Sequence, residues 1–120
     1  MSRVIVAAVD DLLFASKIRA TAEPLGIGVS FARNRQALKK LTDELHPDLI
    51  IINLEASSFD PLQVAKDLQE NELTSPPDLL GFFSHVNTEV QQQAKHAGYT
   101  HVVPRSVFAA RLSDILTGAL

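Results

Sequence analysis

Apolar and polar positions alternate in blocks along the chain, and the blocks keep two different periods. Val4-Ile5-Val6-Ala7-Ala8-Val9 is a continuous apolar run of strand length that stops at Asp10-Asp11. From Leu12 to Glu23 the apolar positions step by about four, through Phe14, Ile18, Ala22 and on to Leu25, which predicts one face of a helix closed by Pro24 and Gly26. Ile27 to Phe31 reads as a short strand. Asn34 can cap a helix whose inner face is Ala37, Leu38, Leu41 and Leu45, and Pro47 stops it. A second uninterrupted run, Leu49-Ile50-Ile51-Ile52, predicts a strand buried on both faces and ends at Asn53. Asp60-Pro61 starts a third helix, a capping carboxylate followed by proline, with Val64, Ala65 and Leu68 inward.

Ser75-Pro76-Pro77 separates that helix from a strand over Leu79 to Phe83. Asn87 caps a helix with Val90, Ala94 and Ala97 inward, and Gly98 ends it. A short strand over His101 to Val103 comes next, and Ser106 is expected to cap a last helix that buries Phe108, Leu112, Ile115 and Leu116. Five strands alternating with five helices, without repeats or an internal linker, require an α/β architecture: a mostly parallel sheet covered on both faces through right-handed crossovers. For five strands the flavodoxin-like order 2-1-3-4-5 is expected, a three-layer α/β/α sandwich.

Composition narrows the class without changing that outline. At 120 residues and 46% hydrophobic content the chain reads as one domain over residues 1–120, able to bury about two-thirds of its unfolded surface. A net charge of −3 gives no basic field for nucleic acid or an anionic membrane. The absence of cysteine excludes disulfides, thiol catalysis and thiolate metal sites, and suits a cytoplasmic location. Met1-Ser2-Arg3 has neither the length nor the cleavage site of a signal peptide, and no apolar run nears the roughly 20 residues that span a bilayer.

In such a fold, polar groups that close apolar runs meet at the carboxyl edge of the sheet, where open α/β sheets hold their sites. Four sets do so here: Asp10-Asp11, Asn53, Ser84 and Arg105. A flavin or nucleotide would need a glycine- or hydroxyl-rich phosphate loop after the first strand, and Asp10-Asp11-Leu12-Leu13 is acidic and apolar instead. Taken singly, Asp10-Asp11 is a strand end with Asp11 covering free helix amides, Ser84 is a strand-end hydroxyl, and Asn53 is a polar strand terminus bonding the next loop.

The order and spacing of these residues resemble the receiver (CheY-like) domain of bacterial two-component response regulators over essentially the whole chain. The resemblance rests on Val9-Asp10-Asp11, on His46-Pro47-Asp48-Leu49-Ile50-Ile51-Ile52, on Phe59-Asp60-Pro61, on Ser84, and on Ala97-Gly98 with Arg105 seven positions later. It implies that Asp10 and Asp11 match a pair that holds Mg²⁺, that Asn53 stands where an aspartate accepts a phosphoryl group, that Ser84 matches a phosphoryl-binding hydroxyl, and that Arg105 replaces a lysine. In that chemistry a carboxylate is the nucleophile, a hard cation neutralises charge, and a basic side chain steadies the transition state.

Here an amide replaces the nucleophile. Ser106 follows Arg105 where the family has proline, proline precedes it at Pro104, and Val102 fills the place of a switch aromatic. The resemblance therefore implies a non-enzymatic pseudo-receiver with a vestigial site, no required cofactor, and weak or absent Mg²⁺ binding at Asp10 and Asp11. Arg105 is expected to reach Asp10 or Asp11 and neutralise the pair directly. It would work through a protein partner, whether a kinase, an effector or a second copy. The contact would use the face of the fourth helix, fifth strand and last helix, or the start of the first helix.

At that helix start Leu12, Leu13 and Phe14 cannot all point inward at a 3.6-residue period. Glu89 to Lys95, with three consecutive glutamines, reads as a solvated helix face. His46, His85, His96 and His101 fit no ligand spacing, and only His85 lies near the expected edge site. Two other readings stay open: a small-ligand- or metal-binding flavodoxin-like domain using the same edge, and phosphorylation on another carboxylate such as Asp10, Asp11 or Glu55.

Overall fold

The computed structural model describes residues 3–70, 76–84 and 86–119, so Met1-Ser2, Ser75 and His85 lie outside the described residues. The parallel sheet contains β1 (Val4–Ala8), β2 (Gly28–Ala32), β3 (Leu49–Asn53), β4 (Asp78–Phe83) and β5 (His101–Pro104) in the order β2-β1-β3-β4-β5. Between them run α1 (Leu12–Ala22), α2 (Arg35–Leu45), α3 (Pro61–Glu70) and α4 (Thr88–Ala97); α5 (Arg105–Ala110) and α6 (Leu112–Thr117) come after β5. This is the flavodoxin-like order that the alternation of periods predicts.

The two sheet faces are sorted residue by residue because side chains alternate along a strand. Val6, Ala8, Ile50, Ile52, Leu79 and Phe83 face one way, under Leu38, Val64, Ala65 and Ala94 of α2, α3 and α4. Ile5, Ala7, Leu49, Ile51, Leu80 and Phe82 face the other, under Ile18 and Ala22 of α1 and Phe108, Leu112, Ile115 and Leu116 of α5 and α6. The central strand β3 is buried along its whole length. Each aliphatic side chain so buried contributes about 1.5–3 kcal/mol, which makes β3 the axis of both cores.

Asparagine side chains set two helix starts as the sequence predicts. Asn34 Oδ1 accepts from Ala37 N at 2.8 Å and Asn87 Oδ1 accepts from Val90 N at 3.3 Å. Gly98 closes α4 at φ 101°, a left-handed value that favours glycine.

Several details differ from expectation. Leu25 sits in a one-turn 3₁₀ helix (Glu23–Leu25) beyond the end of α1, and Leu45 is the last residue of α2, just before His46 turns left-handed at φ 48°; both are more than a third exposed rather than core-facing. Proline does open α3, but the Asp60 carboxylate accepts from Arg35 Nη1 at 3.4 Å, and the Asp60 backbone is itself left-handed at φ 48°. Ser106 is not the last cap: Pro104 holds that place with extended backbone, and the helix begins at Arg105. That helix is also kinked at Arg111, where φ −112° and ψ 22° leave the helical region between α5 and α6. Phe108, Leu112, Ile115 and Leu116 are nevertheless all buried. Among the described residues no helix is long and apolar enough to cross a membrane.

Gly81 is the point of closest approach in the sheet interior. A Cβ there would come within 2.6 Å of Leu54 Cγ and Cδ2, and Leu54 is itself buried. Gly81→Ala is expected to cost about 1–3 kcal/mol through overpacking, read as a lowered urea midpoint at unchanged slope.

Tyr99 ties the end of α4 to the start of α3, its hydroxyl donating to the Pro61 carbonyl at 2.8 Å. Burial pushes the phenol well above its ordinary range, and the nearby Asp60 charge adds to the shift. The raised folded value gives stability that is complete below the unfolded phenol's pKa of about 10 and is lost as pH rises above it. Urea denaturation at stepped alkaline pH should show that fall, and Tyr99→Phe should flatten it while losing about 1 kcal/mol at neutral pH.

Candidate functional site

Strand register decides which side chains can meet at the carboxyl edge. Asn53 pairs with Phe82, and Phe83 pairs with Pro104. Continuing the ladder one step beyond β4 and β5, and two beyond β3, brings Glu55, Ser84 and Arg105 to one level. Leu54 N donates to Phe82 O at 3.0 Å, so the pairing does extend past the end of β3.

At that level a carboxylate forms the hub. Glu55 Oε1 accepts from Ser84 N at 2.8 Å, and Glu55 Oε2 accepts from Asn87 Nδ2 at 3.1 Å. Arg105 Nη2 stands 3.9 Å from Glu55 Oε1, an ion pair rather than a hydrogen bond. With Arg105 43% and Glu55 25% exposed, solvent screens that pair, so its direct contribution is below about 1 kcal/mol.

Arg105 does not turn to Asp10 or Asp11 as expected. Its guanidinium lies over the Phe14 ring, with Cζ 5.6 Å from the centroid. Phe14 in turn packs on Phe82 at 5.0 Å and on Phe108 at 5.9 Å, with Phe82 and Phe108 stacked at 4.5 Å. An aromatic floor beneath the cation and a carboxylate level with it hold Arg105 on the β3–β4 side.

Asp11 is engaged elsewhere: its Oδ1 accepts from Leu13 N at 2.8 Å and caps α1. Asp10 is exposed.

Asn53 is 4% exposed and lies at the end of β3. Its Oδ1 accepts from Glu55 N at 3.0 Å, and its carbonyl accepts from Ala56 N at 3.1 Å, so the amide shapes its own loop. That loop continues into a one-turn 3₁₀ helix over Ser57–Phe59.

One oxygen of Asp11 and the Asn53 oxygen already accept backbone N–H groups, and Asp10 is exposed to solvent. Among the described residues no group of three or more His, Asp or Glu side chains is gathered to hold a metal. Of the histidines, His46 follows α2, His96 lies in the last turn of α4, and His101 opens β5 at the far end of that strand from Arg105. A groove of about 500 Å³ opens between α2 and α3, lined by Arg35, Lys39, Thr42, Val64 and Asp67 among others, away from the sheet edge.

The sequence places Ser84 and Arg105 at strand ends on one edge, but it misses Glu55, which meets Ser84 through the backbone N–H and faces Arg105. Glu55 enters the sequence reading only as a substitute phosphoacceptor, and Asn87 only as a cap. The available signal is position: a long acidic side chain two residues past Asn53, with the sheet register carrying it level with Ser84.

No family model matches the chain, and no curated protein matches it. Solved structures do. The chain is similar to a response regulator signal receiver domain from Bermanella marisrubri, with 21% identity, a TM-score of 0.84 and 98% of each chain covered. It is similar to a response regulator from Hahella chejuensis at 18% identity and a TM-score of 0.85, covering 99% of this chain and 96% of that one. The chemotaxis response regulator CheY4 of Vibrio cholerae gives 18% identity and a TM-score of 0.82, with both chains covered in full. The fold is that of the CheY-like receiver domains, and at these identities the likeness is one of fold.

Proposed function

We propose that the chain is a receiver-like signalling module of a two-component or phosphorelay type system that is not switched by aspartyl phosphorylation and acts by binding a protein partner. The observation that carries this reading is Asn53: a buried amide whose oxygen is held by the Glu55 N–H stands at the end of β3, where the receiver fold would need a carboxylate nucleophile. The other edge groups support it. Asp11 caps a helix, and the Ser84 backbone N–H and Asn87 Nδ2 donate to Glu55. Glu55 itself is committed to those donors, which argues against its use as a substitute acceptor.

The partner reading has its own support in the apolar residues around the same edge. Leu12 and Leu13 at the start of α1 are 83% and 82% exposed, and Val86, between β4 and α4, is 74% exposed. Leu62 in the first turn of α3 and Val107 in the first turn of α5 are also exposed. Five large apolar side chains ringing one sheet edge, beside an acidic and basic centre, favour protein contact there over a solvated surface. Of the two faces the sequence suggests, the start of α1 has this support. Mg²⁺ binding at Asp10 and Asp11 is expected to be weak or absent, since Asn53 adds no charge to the pair.

Intact mass measurement after incubation with Mg²⁺ and acetyl phosphate tests the chemistry. The native chain should gain no phosphoryl group, and a stoichiometric gain would sink the reading. The Asn53→Asp variant run in parallel restores the missing carboxylate; its modification would identify Asn53 as the sole block.

A further inference from the structure

Glu55 does more than sit between neighbours. Its two oxygens grip both ends of the connection between β4 and α4: Ser84 through the backbone N–H and Asn87 through Nδ2. Those ends are also tied to each other, since Asn87 N donates to Ser84 O at 2.8 Å. The opposite side of the Asn87 amide, Oδ1, accepts from Val90 N and caps α4. One chain of contacts therefore runs from the β3 end, through Glu55 and Asn87, into the first turn of α4. Asn53 supports its near end by accepting from Glu55 N, which fixes the backbone from which the glutamate side chain springs. The Arg105 cation faces the same carboxylate from the end of β5.

We propose that Glu55 is a built-in anion that holds the β4–α4 connection and the N-cap of α4 in one arrangement, so that this edge is set without any added group. The inference rests on the reading of the chain as an unphosphorylated receiver-like module and says what regulates that module's shape. Three features of the chemistry support it. A carboxylate is the one side-chain group that accepts from two N–H donors and faces a guanidinium without presenting a donor of its own. The register sets Glu55 level with Ser84, and the length of the glutamate side chain carries its carboxylate across to both Ser84 N and Asn87 Nδ2. The grip also bears on the apolar rim, since Val86 stands between the two anchored residues and its display depends on them.

Amide hydrogen exchange by NMR tests this on the whole chain with Glu55→Ala and Glu55→Gln. In Glu55→Ala the Ser84 amide should exchange on the order of tenfold faster or more, with Val90 accelerated as the Asn87 cap loosens, while Ile51 in β3 stays protected. Glu55→Gln keeps one acceptor but turns a donor toward the second site, so its Ser84 rate should fall between the other two. Unchanged exchange at Ser84 and Val90 in a folded Glu55→Ala protein would overturn the proposal. Should that variant fail to fold, the Gln variant decides by the same criterion: native-like rates at both amides overturn it. The result is independent of the phosphorylation assay, because a native chain that accepted phosphate could still show the Glu55 dependence, and one that refused it could lack it.

Discussion

The register around β3 is the constraint on which the rest of the structure depends. Every residue of that strand is buried, with Ile50 and Ile52 in one core and Leu49 and Ile51 in the other. A slip of one residue would exchange the two sets and break both cores at once. The ladder is therefore held firmly, and the residues just past β3 are delivered to a fixed height beside β4 and β5. The chemistry of the edge comes from that height. Glu55 meets Ser84 and faces Arg105 because three parallel strands carry them to a common level, without any loop having to search for the contact.

Arg105 illustrates how the layers below the sheet edge choose among partners above it. The sequence suggests the Asp10-Asp11 pair as its partner, and the structure gives it Glu55 instead. Phe14, packed at a tilt against the stacked Phe82 and Phe108, gives the guanidinium an apolar bed, and Asp11 has already turned an oxygen to the Leu13 amide of α1. A cap worth about 1 kcal/mol and an aromatic contact worth about 0.5–1 kcal/mol are enough to outweigh a screened surface ion pair. The balance is small in each part and decisive in sum.

Much of the architecture was legible in the chain because periodicity reports burial directly. The run Leu49 to Ile52, the four-residue step in α1 and the asparagine caps at Asn34 and Asn87 each derive from one local rule, and each holds. The misses have a common physical origin: they depend on neighbours distant in sequence or on backbone at element ends. Asp60 turns from a cap to Arg35, 25 residues away. Leu25 and Leu45 keep the helical spacing but fall past or at the ends of their helices, where the face no longer continues. Ser106 lost its capping role because Pro104, with fixed φ and no N–H, suits the start of α5 earlier than a serine-based rule places it. The site was half legible for the same reason. Strand ends locate Ser84 and Arg105, but the side chain that bridges them belongs to a loop whose height only the register reveals.

On the proposed reading, the edge differs from that of a phosphorylated receiver in where negative charge resides. An aspartate at position 53 would set a carboxylate on the end of the central strand, close to Asp10 and Asp11 and in need of a cation to relieve their repulsion. With Asn53 the strand end is neutral, and its amide oxygen instead fixes the Glu55 backbone. The charge then appears two residues later on a longer side chain, beyond the acidic pair and among donors: the Ser84 amide, the Asn87 amide and the Arg105 guanidinium. A carboxylate supplied by the chain itself has no association entropy to overcome, so on the proposed reading the arrangement it holds needs no added group. On that reading the chain carries its state in its sequence, and the exposed Leu12, Leu13 and Val86 are where a partner would act on it.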